Sequence, residues 1–362
     1  MTTEEQAAGS GTSSPVRPAE GQEELVLELS APRMEAVDGA RRATARARLL
    51  RGTADGSGAA RASAPWRLVV PEAIDAESLD WYLRRFPVWP DPLARQRAEA
   101  VEAVLQAWGR RLFQAVWPGQ RLAEVLAHGE GLADASGAGR FCVRLLDEAA
   151  AAAQPHEAAS AREAAAQLLD QPWELLHDGH SYLFQGPWVG SLRRCLGDDG
   201  APPEPTEAPG ACALRVLSVA ARPPLPTGGL DDHRAGALAL GQAVESLDGA
   251  LEMQLLVPPT WAALCAELER ARLAGRPWRV LHLDGAWVAD PASGAELLCL
   301  EAEGPSPLQP LAHAVPVEAL GTRLREHGIA LVWLEAPPGS TPAGLGGPAA
   351  GLLRAGVPTV VA

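Results

Sequence analysis

Short apolar segments alternate with helix-like segments throughout residues 214–361, and this alternation limits the fold more than any other feature of the sequence. Continuous short apolar runs are typical of buried strands, whereas apolar residues repeated every third or fourth position are typical of helices. The predicted strands are residues 214–220, 253–257, 280–283, 330–334 and 359–361, and the predicted helices are 235–247, 260–274, 316–327 and 349–355. Because strands joined by helices form parallel sheets covered on both faces, we predict an α/β fold with a mainly parallel sheet flanked by helices.

The residues before this core divide into three further parts. Residues 1–22 are polar and rich in turn formers, which predicts disorder. Residues 23–197 combine alternating strand patterns with longer helical stripes, so we predict an α+β N-terminal region. Proline, glycine and acidic residues crowd positions 198–211, which we predict to be a linker before a core over 212–362.

Composition excludes several classes of function. The 362 residues carry a net charge of −14, which disfavours a broad nucleic-acid or anionic-lipid surface. The five cysteines are far apart in sequence, without CxxC spacing, which disfavours a disulfide framework and a zinc site. There is no signal-peptide pattern and no apolar run long enough for a membrane span, so we expect a cytoplasmic protein.

Six short segments, taken together and in order, resemble the CHAT family of caspase-like cysteine peptidases. They are QPWELL (171–176), SVAARP (218–223), VPPT (257–260), VLHLDG (280–285), LLCLE (297–301) and LRAGVPTVV (353–361). The resemblance covers roughly residues 23–362 and implies a caspase-like sheet with a Cys-His dyad. It also implies a folded unit that continues past the last residue, in keeping with an apolar strand that stops there.

The resemblance places both members of the dyad on residues that cannot perform its chemistry. The family's histidine follows the strand predicted to end at Leu283 and falls on Ala286, while its cysteine follows the neighbouring strand, which ends at Leu334, and falls on Pro337. A methyl group cannot accept a proton, and a proline ring offers no nucleophile. We therefore expect a pseudopeptidase that needs no cofactor.

A residual groove without its dyad is the expected binding surface. Its candidate residues are Arg222, His282, Asp284, Trp287, Glu335 and Ser340. His282 lies inside a strand and is interpreted as a hydrogen-bonded core histidine rather than a base. Arg222 is interpreted first as a surface arginine before Pro223 and Pro224; in a groove that survives without its dyad, Arg222 with Asp231 and Asp232 would line the rim and could hold a peptide.

Other interpretations of the same residues carry less weight. His177 and His180 lack further nearby ligands, so we expect solvated side chains and no metal. Residues 344–349 fit a G-x-G-x-x-A nucleotide motif only weakly, because Pro348 interrupts it. The leading hypothesis is an interaction or regulatory module in bacterial signalling or defence, with a protein or peptide partner; the alternatives are a residual hydrolase using Ser340 and a decayed gene fragment.

Overall fold

The computed structural model describes most of the chain in a set of separate ranges. They are residues 23–53, 61–72, 74–88, 90–119, 139–146, 154–185, 189–197, 214–221, 240–242, 244–245, 249–290, 293–302, 312–335 and 346–361. The predicted disordered segment 1–22 and the predicted linker 198–211 lie outside these ranges, as does most of the predicted helix 235–247.

The first sheet is formed by the N-terminal part of the chain. Its strands are β1 (Glu23–Val37), β2 (Ala40–Thr53), β3 (Arg61–Ala62), β4 (Trp66–Val69), β5 (Gly139–Leu145) and β6 (Val189–Leu196). Their order is β3-β2-β1-β5-β6, with β4 also paired to β2. The β1–β2 pair is antiparallel, whereas β1, β5 and β6 run parallel, so the sheet is mixed.

A two-residue turn fixes the register of the long β1–β2 hairpin. Val37 pairs with Ala40, and the intervening Asp38 and Gly39 both have positive φ values, 49° and 78°. Positive φ at both central residues is the condition for a type I′ turn, whose twist matches that of the strands it connects. The Asp-Gly pair therefore sets which side chains of β1 and β2 face the core.

Helices cover one face of the first sheet. They are α1 (Ala76–Asp80), which continues into a π-helical turn (Trp81–Arg85), α2 (Pro92–Val116) and α3 (Pro155–Leu169). The Asp91 carboxylate caps α2 by accepting a 2.8 Å hydrogen bond from the Ala94 N–H, which satisfies one otherwise unpaired donor of the first turn. Trp108, Leu112 and Val116 recur at helical spacing and pack α2 on the core.

The second sheet contains the strands that were predicted to be mainly parallel. They are β7 (Leu214–Ala221), β8 (Leu251–Leu255), β9 (Val280–Ala289), β10 (Glu296–Glu301), β11 (Ala312–Pro316), β12 (Leu331–Glu335) and β13 (Thr359–Val361). Parallel pairing joins them in the order β8-β7-β9-β12-β13, whereas β9-β10-β11 is antiparallel. The protein is thus a mixed α/β protein in which each sheet combines both kinds of pairing.

The predicted end of the central strand at Leu283 is wrong, because β9 continues to Ala289. Its first half pairs with β7 and β12, and its second half pairs with β10, which supplies a new hydrogen-bonding partner where the parallel neighbours end. Asp290 and Gly294 close the turn between β9 and β10: the Asp290 N–H donates to the Ala295 carbonyl at 2.8 Å, and Gly294 has a φ of 69°.

Each of the two sheets packs against its own hydrophobic core. The helices of the second part are α4 (Trp261–Leu273), α5 (Val317–Glu326) and α6 (Gly346–Arg354). Alternate residues of β7, β9 and β12, such as Leu217, Leu281 and Val332, form the second core with Leu264 of α4. The first core draws almost entirely on residues before position 197, with Ala350 of α6 as the exception.

Candidate functional site

A row of three side chains crosses the centre of the second sheet. Ser218 of β7 and Trp333 of β12 are the register partners of His282 on β9. A 3.0 Å hydrogen bond joins Ser218 Oγ to His282 Nδ1, and the two residues are 0% and 3% exposed. His282 is therefore a hydrogen-bonded histidine of the core.

The other side of the His282 ring faces the carboxyl end of β12. His282 Nε2 lies 3.5 Å from Glu335 Oε2, and the ring meets the Trp333 indole edge-on at 5.4 Å. Ser218, His282 and Glu335 thus form a hydroxyl, imidazole and carboxylate series. Because the Ser218 hydroxyl is fully buried, a substrate cannot reach it, and the series serves packing rather than nucleophilic attack.

The position expected for the catalytic histidine lies inside the β9–β10 ladder. Ala286 is 1% exposed, and its register partner is Cys299 of β10. Burial raises the pKa of the Cys299 thiol, which keeps the sulfur protonated and poorly nucleophilic. Pro337, the expected cysteine position, lies outside the described residues.

The remaining groove candidates do not meet at an open surface. Asp284 and Trp287 belong to β9 and are buried like His282, so these three side chains point into packed protein. Glu335, whose side chain is 42% exposed, is the described candidate in contact with solvent. Arg222 and Ser340 lie outside the described residues, together with Asp231 and Asp232.

A different concave surface lies on the first half of the chain, where the sequence predicted none. It is a groove of about 840 Å³ between the π-helical turn, one face of α2 and the segment 172–185. Its polar and aromatic lining includes Tyr82, Tyr182, Phe184, Glu99 and Glu102, and these five residues define what is called the aromatic groove below. Its size falls in the range of ligand-binding clefts.

Each ring of the aromatic groove is held in place by a neighbour. The Tyr82 hydroxyl donates a 2.8 Å hydrogen bond to Glu102 Oε1, and this bond raises the pKa of Tyr82. The Tyr182 ring meets the His177 ring edge-on at 4.9 Å, and Phe184 packs against Phe141 at 6.3 Å. The groove is therefore preformed rather than dependent on a ligand to order it.

The charge of the aromatic groove is negative. Glu174, also on its wall, is neutralised by Arg194 at 2.8 Å. Glu99 and Glu102, by contrast, form no ion pair with any described residue. Aromatic ring faces beside carboxylates that are not neutralised by a cation favour a cationic group with an apolar stem.

His177 packs against Tyr182 of the aromatic groove and is unsuited to hold a metal. The expectation of a solvated His177 side chain is wrong, because the residue is buried. Its Nδ1 accepts a 2.9 Å hydrogen bond from the Gly179 N–H, and its Nε2 lies 3.0 Å from the Gln106 side-chain nitrogen. Within the described ranges, no group of three or more His, Cys, Asp or Glu side chains could hold a metal ion.

Sequence reasoning missed the groove because its wall comes from distant segments. One signal was present: the chain has two tyrosines, and both line this surface. A thiol pair, Cys142 and Cys195, was also missed because 53 positions separate them in sequence.

The fold and these sites define a mixed α/β protein with two open sheets and an acidic, aromatic-lined groove. Among the helices that the structure describes, none combines the length and the hydrophobicity needed to cross a bilayer. No family model matches the chain, and no significant match was found among curated proteins or solved structures.

Proposed function

We propose that the chain is a caspase-like protein of the CHAT type that has lost its catalytic dyad and serves as a non-catalytic interaction module. The observation that carries this proposal is the pairing of Ala286 with Cys299, which leaves a buried methyl group where the resemblance requires a base. The pairing of Leu283 with Leu334 supports it, since the resemblance requires these two strands to be neighbours. A setting in bacterial signalling or defence follows from the same resemblance.

The proposed binding surface is the aromatic groove, and the proposed occupant is a basic, partly apolar segment of a partner protein. Glu99 and Glu102 would attract an arginine or lysine, whose stem would lie on the faces of Tyr82 and Tyr182. Leu83, which is 61% exposed at the same groove, offers an apolar contact for a neighbouring side chain of the segment.

Fluorescence anisotropy with labelled peptides tests the binding part. A peptide alternating arginine and leucine should bind, and the same peptide with glutamate in place of arginine should not. The double variant Glu99→Gln/Glu102→Gln should bind about two- to thirtyfold more weakly, because each of the two exposed charge pairs that it removes is worth about 0.2–1 kcal/mol. Glu318→Gln, an exposed change on α5, is the matched control and should bind like the wild type. Equal binding of both peptides would overturn the assignment of the occupant.

Activity-directed probes test the non-catalytic part. Serine-directed electrophiles should leave the folded protein without stoichiometric labelling. Stoichiometric labelling that disappears in Ser340→Ala would instead establish the residual hydrolase and end the pseudopeptidase proposal.

A further inference from the structure

Two cysteines on neighbouring strands of the first sheet lie in contact. Cys142 on β5 is opposite Arg193, and Cys195 on β6 is opposite Arg144, so the cysteines are two positions apart across a parallel pair. The Cys142 thiol donates to Cys195 with the two Sγ atoms 3.5 Å apart. Both thiols are free.

The two sulfurs are in unequal surroundings. Cys142 has no exposed surface, whereas Cys195 is partly exposed. The hydrogen bond from Cys142, with help from the Arg193 guanidinium, lowers the pKa of Cys195 to about 7, and the same bond and burial raise the pKa of Cys142. Cys195 is therefore the thiol of the pair that ionises more readily.

Arg193 is fixed beside the pair by a buried carboxylate. Its Nε and one terminal nitrogen each donate to Glu24 at 2.7 Å, and Glu24 is buried on β1, on the other side of β5. A bidentate pair of this kind holds a guanidinium in one orientation, so the positive charge near Cys195 does not depend on a mobile side chain.

We propose that Cys142 and Cys195 form a redox-active thiol pair, in which Cys195 attacks a hydroperoxide or a small-molecule disulfide and Cys142 resolves the product. Cys195, the partly exposed member of the pair, meets the reagent first, and the buried Cys142 sulfur is already within contact distance of it. This site is independent of the aromatic groove and of the proposed interaction function.

The reaction balances in two steps. The Cys195 thiolate attacks one peroxide oxygen; a sulfur–oxygen bond forms, the oxygen–oxygen bond breaks, and the departing alkoxide or hydroxide takes up a proton. The sulfur is oxidised by two electrons to a sulfenic acid, and the peroxide is reduced to an alcohol or water. Cys142 then attacks the Cys195 sulfur, its proton leaves with the hydroxyl as water, and a disulfide forms. With a small disulfide as the oxidant, two small thiols leave instead.

The experiment oxidises the full-length reduced chain with a slight excess of hydrogen peroxide or oxidised glutathione, followed by intact mass and peptide mapping. We expect a loss of about 2 Da and a Cys142–Cys195 crosslink, reversed by dithiothreitol. Cys142→Ser should stop the reaction at Cys195, as a dimedone-reactive sulfenic acid or a glutathione adduct. Cys265→Ser is the matched control, because Cys265 is also partly exposed but burial raises its pKa; this variant should form the crosslink normally.

A measurement on the wild-type chain tests the proposal even where a variant fails to fold. The rate of iodoacetamide labelling, followed peptide by peptide, should rise through about pH 7 at Cys195 and only at higher pH at Cys265. Faster labelling of Cys265 at pH 7, or oxidation that yields no Cys142–Cys195 crosslink, would overturn the proposal.

Discussion

The carbonyl oxygen of Leu175 occupies the space that a side chain at Gly109 would need. A Cβ atom built on Gly109 would lie 2.0 Å from that oxygen, far inside van der Waals contact. The His177 N–H also donates to the Gly109 carbonyl at 3.4 Å, so α2 and the segment carrying Leu175 meet backbone to backbone. Leu175 also lines the aromatic groove, so the crossing lies beside that groove.

Gly109→Ala should destabilise the protein by about 3 kcal/mol, as expected for overpacking against backbone. This net loss results because the free-energy cost of the clash exceeds the roughly 1 kcal/mol of stability that alanine provides over glycine within a helix. Gly241→Ala is the matched control, since Gly241 is also helical and a Cβ there meets nothing within 4 Å. Urea unfolding measures both variants, and a Gly109→Ala midpoint at or above that of the wild type would contradict the crossing.

Ser218→Ala should lower the free energy of unfolding by about 1–3 kcal/mol, because it leaves His282 Nδ1 buried without its hydrogen-bond partner. Ser30→Ala serves as the control, because the Ser30 hydroxyl donates only a weak, solvent-exposed 3.4 Å hydrogen bond to the Arg46 carbonyl. Chemical denaturation followed by tryptophan fluorescence compares them. Equal losses in the two variants would mean that the Ser218–His282 contact contributes nothing of its own.

Stability should fall as the pH is lowered from 7 to 5, in part through His177. Burial, with the Arg110 charge adding to it, holds the pKa of His177 below its usual value. The unfolded chain then binds the proton more readily than the folded one, so folding weakens as the pH drops below about 6.5. His177→Gln should flatten this part of the pH profile. A profile equally steep in His177→Gln would rule out this origin.

Ala286→His, which supplies the residue type required by the family resemblance, should destabilise the protein by more than about 2 kcal/mol and produce no peptidase activity. The site is buried, and the larger ring would be forced into packed side chains with its nitrogens unsatisfied. Ala314→His is the matched control, because Ala314 is the other register partner of Cys299 and is exposed. Thermal unfolding of the two variants should separate them by several degrees. A well-folded, active Ala286→His protein would show that the site still holds a catalytic geometry.

Local patterns in the sequence were sufficient for the repeating strands and helices of the second half. The predicted segments around β7, β12 and β13 agree with the structure to within about two residues, because burial and helical periodicity are properties of short windows. The length of β9 was not accessible in this way. The sequence from Asp284 to Val288 resembles a loop when it is considered alone. This half of β9 is a strand because β10 pairs with it.

The aromatic groove and the Cys142–Cys195 pair both depend on contacts between residues that are distant in sequence. Tyr82 and Tyr182 meet at one groove only after α2 has crossed the segment 172–185. Cys142 and Cys195 meet only because β5 and β6 are neighbours in the sheet, a relationship that no spacing rule for cysteines contains. Pairings of this kind follow from topology, which local patterns in a single sequence do not specify.

Helix α6 contributes Ala350 to the first core and Leu352 to the second, two positions apart on one helix. It also lies against α3, which belongs to the N-terminal half of the chain. Cutting the chain between the two sheets would therefore remove α6 from the core of the N-terminal half, although α6 itself belongs to the C-terminal half. We expect the two halves to unfold in a single cooperative transition, and an isolated N-terminal fragment to melt at a lower temperature than the intact chain.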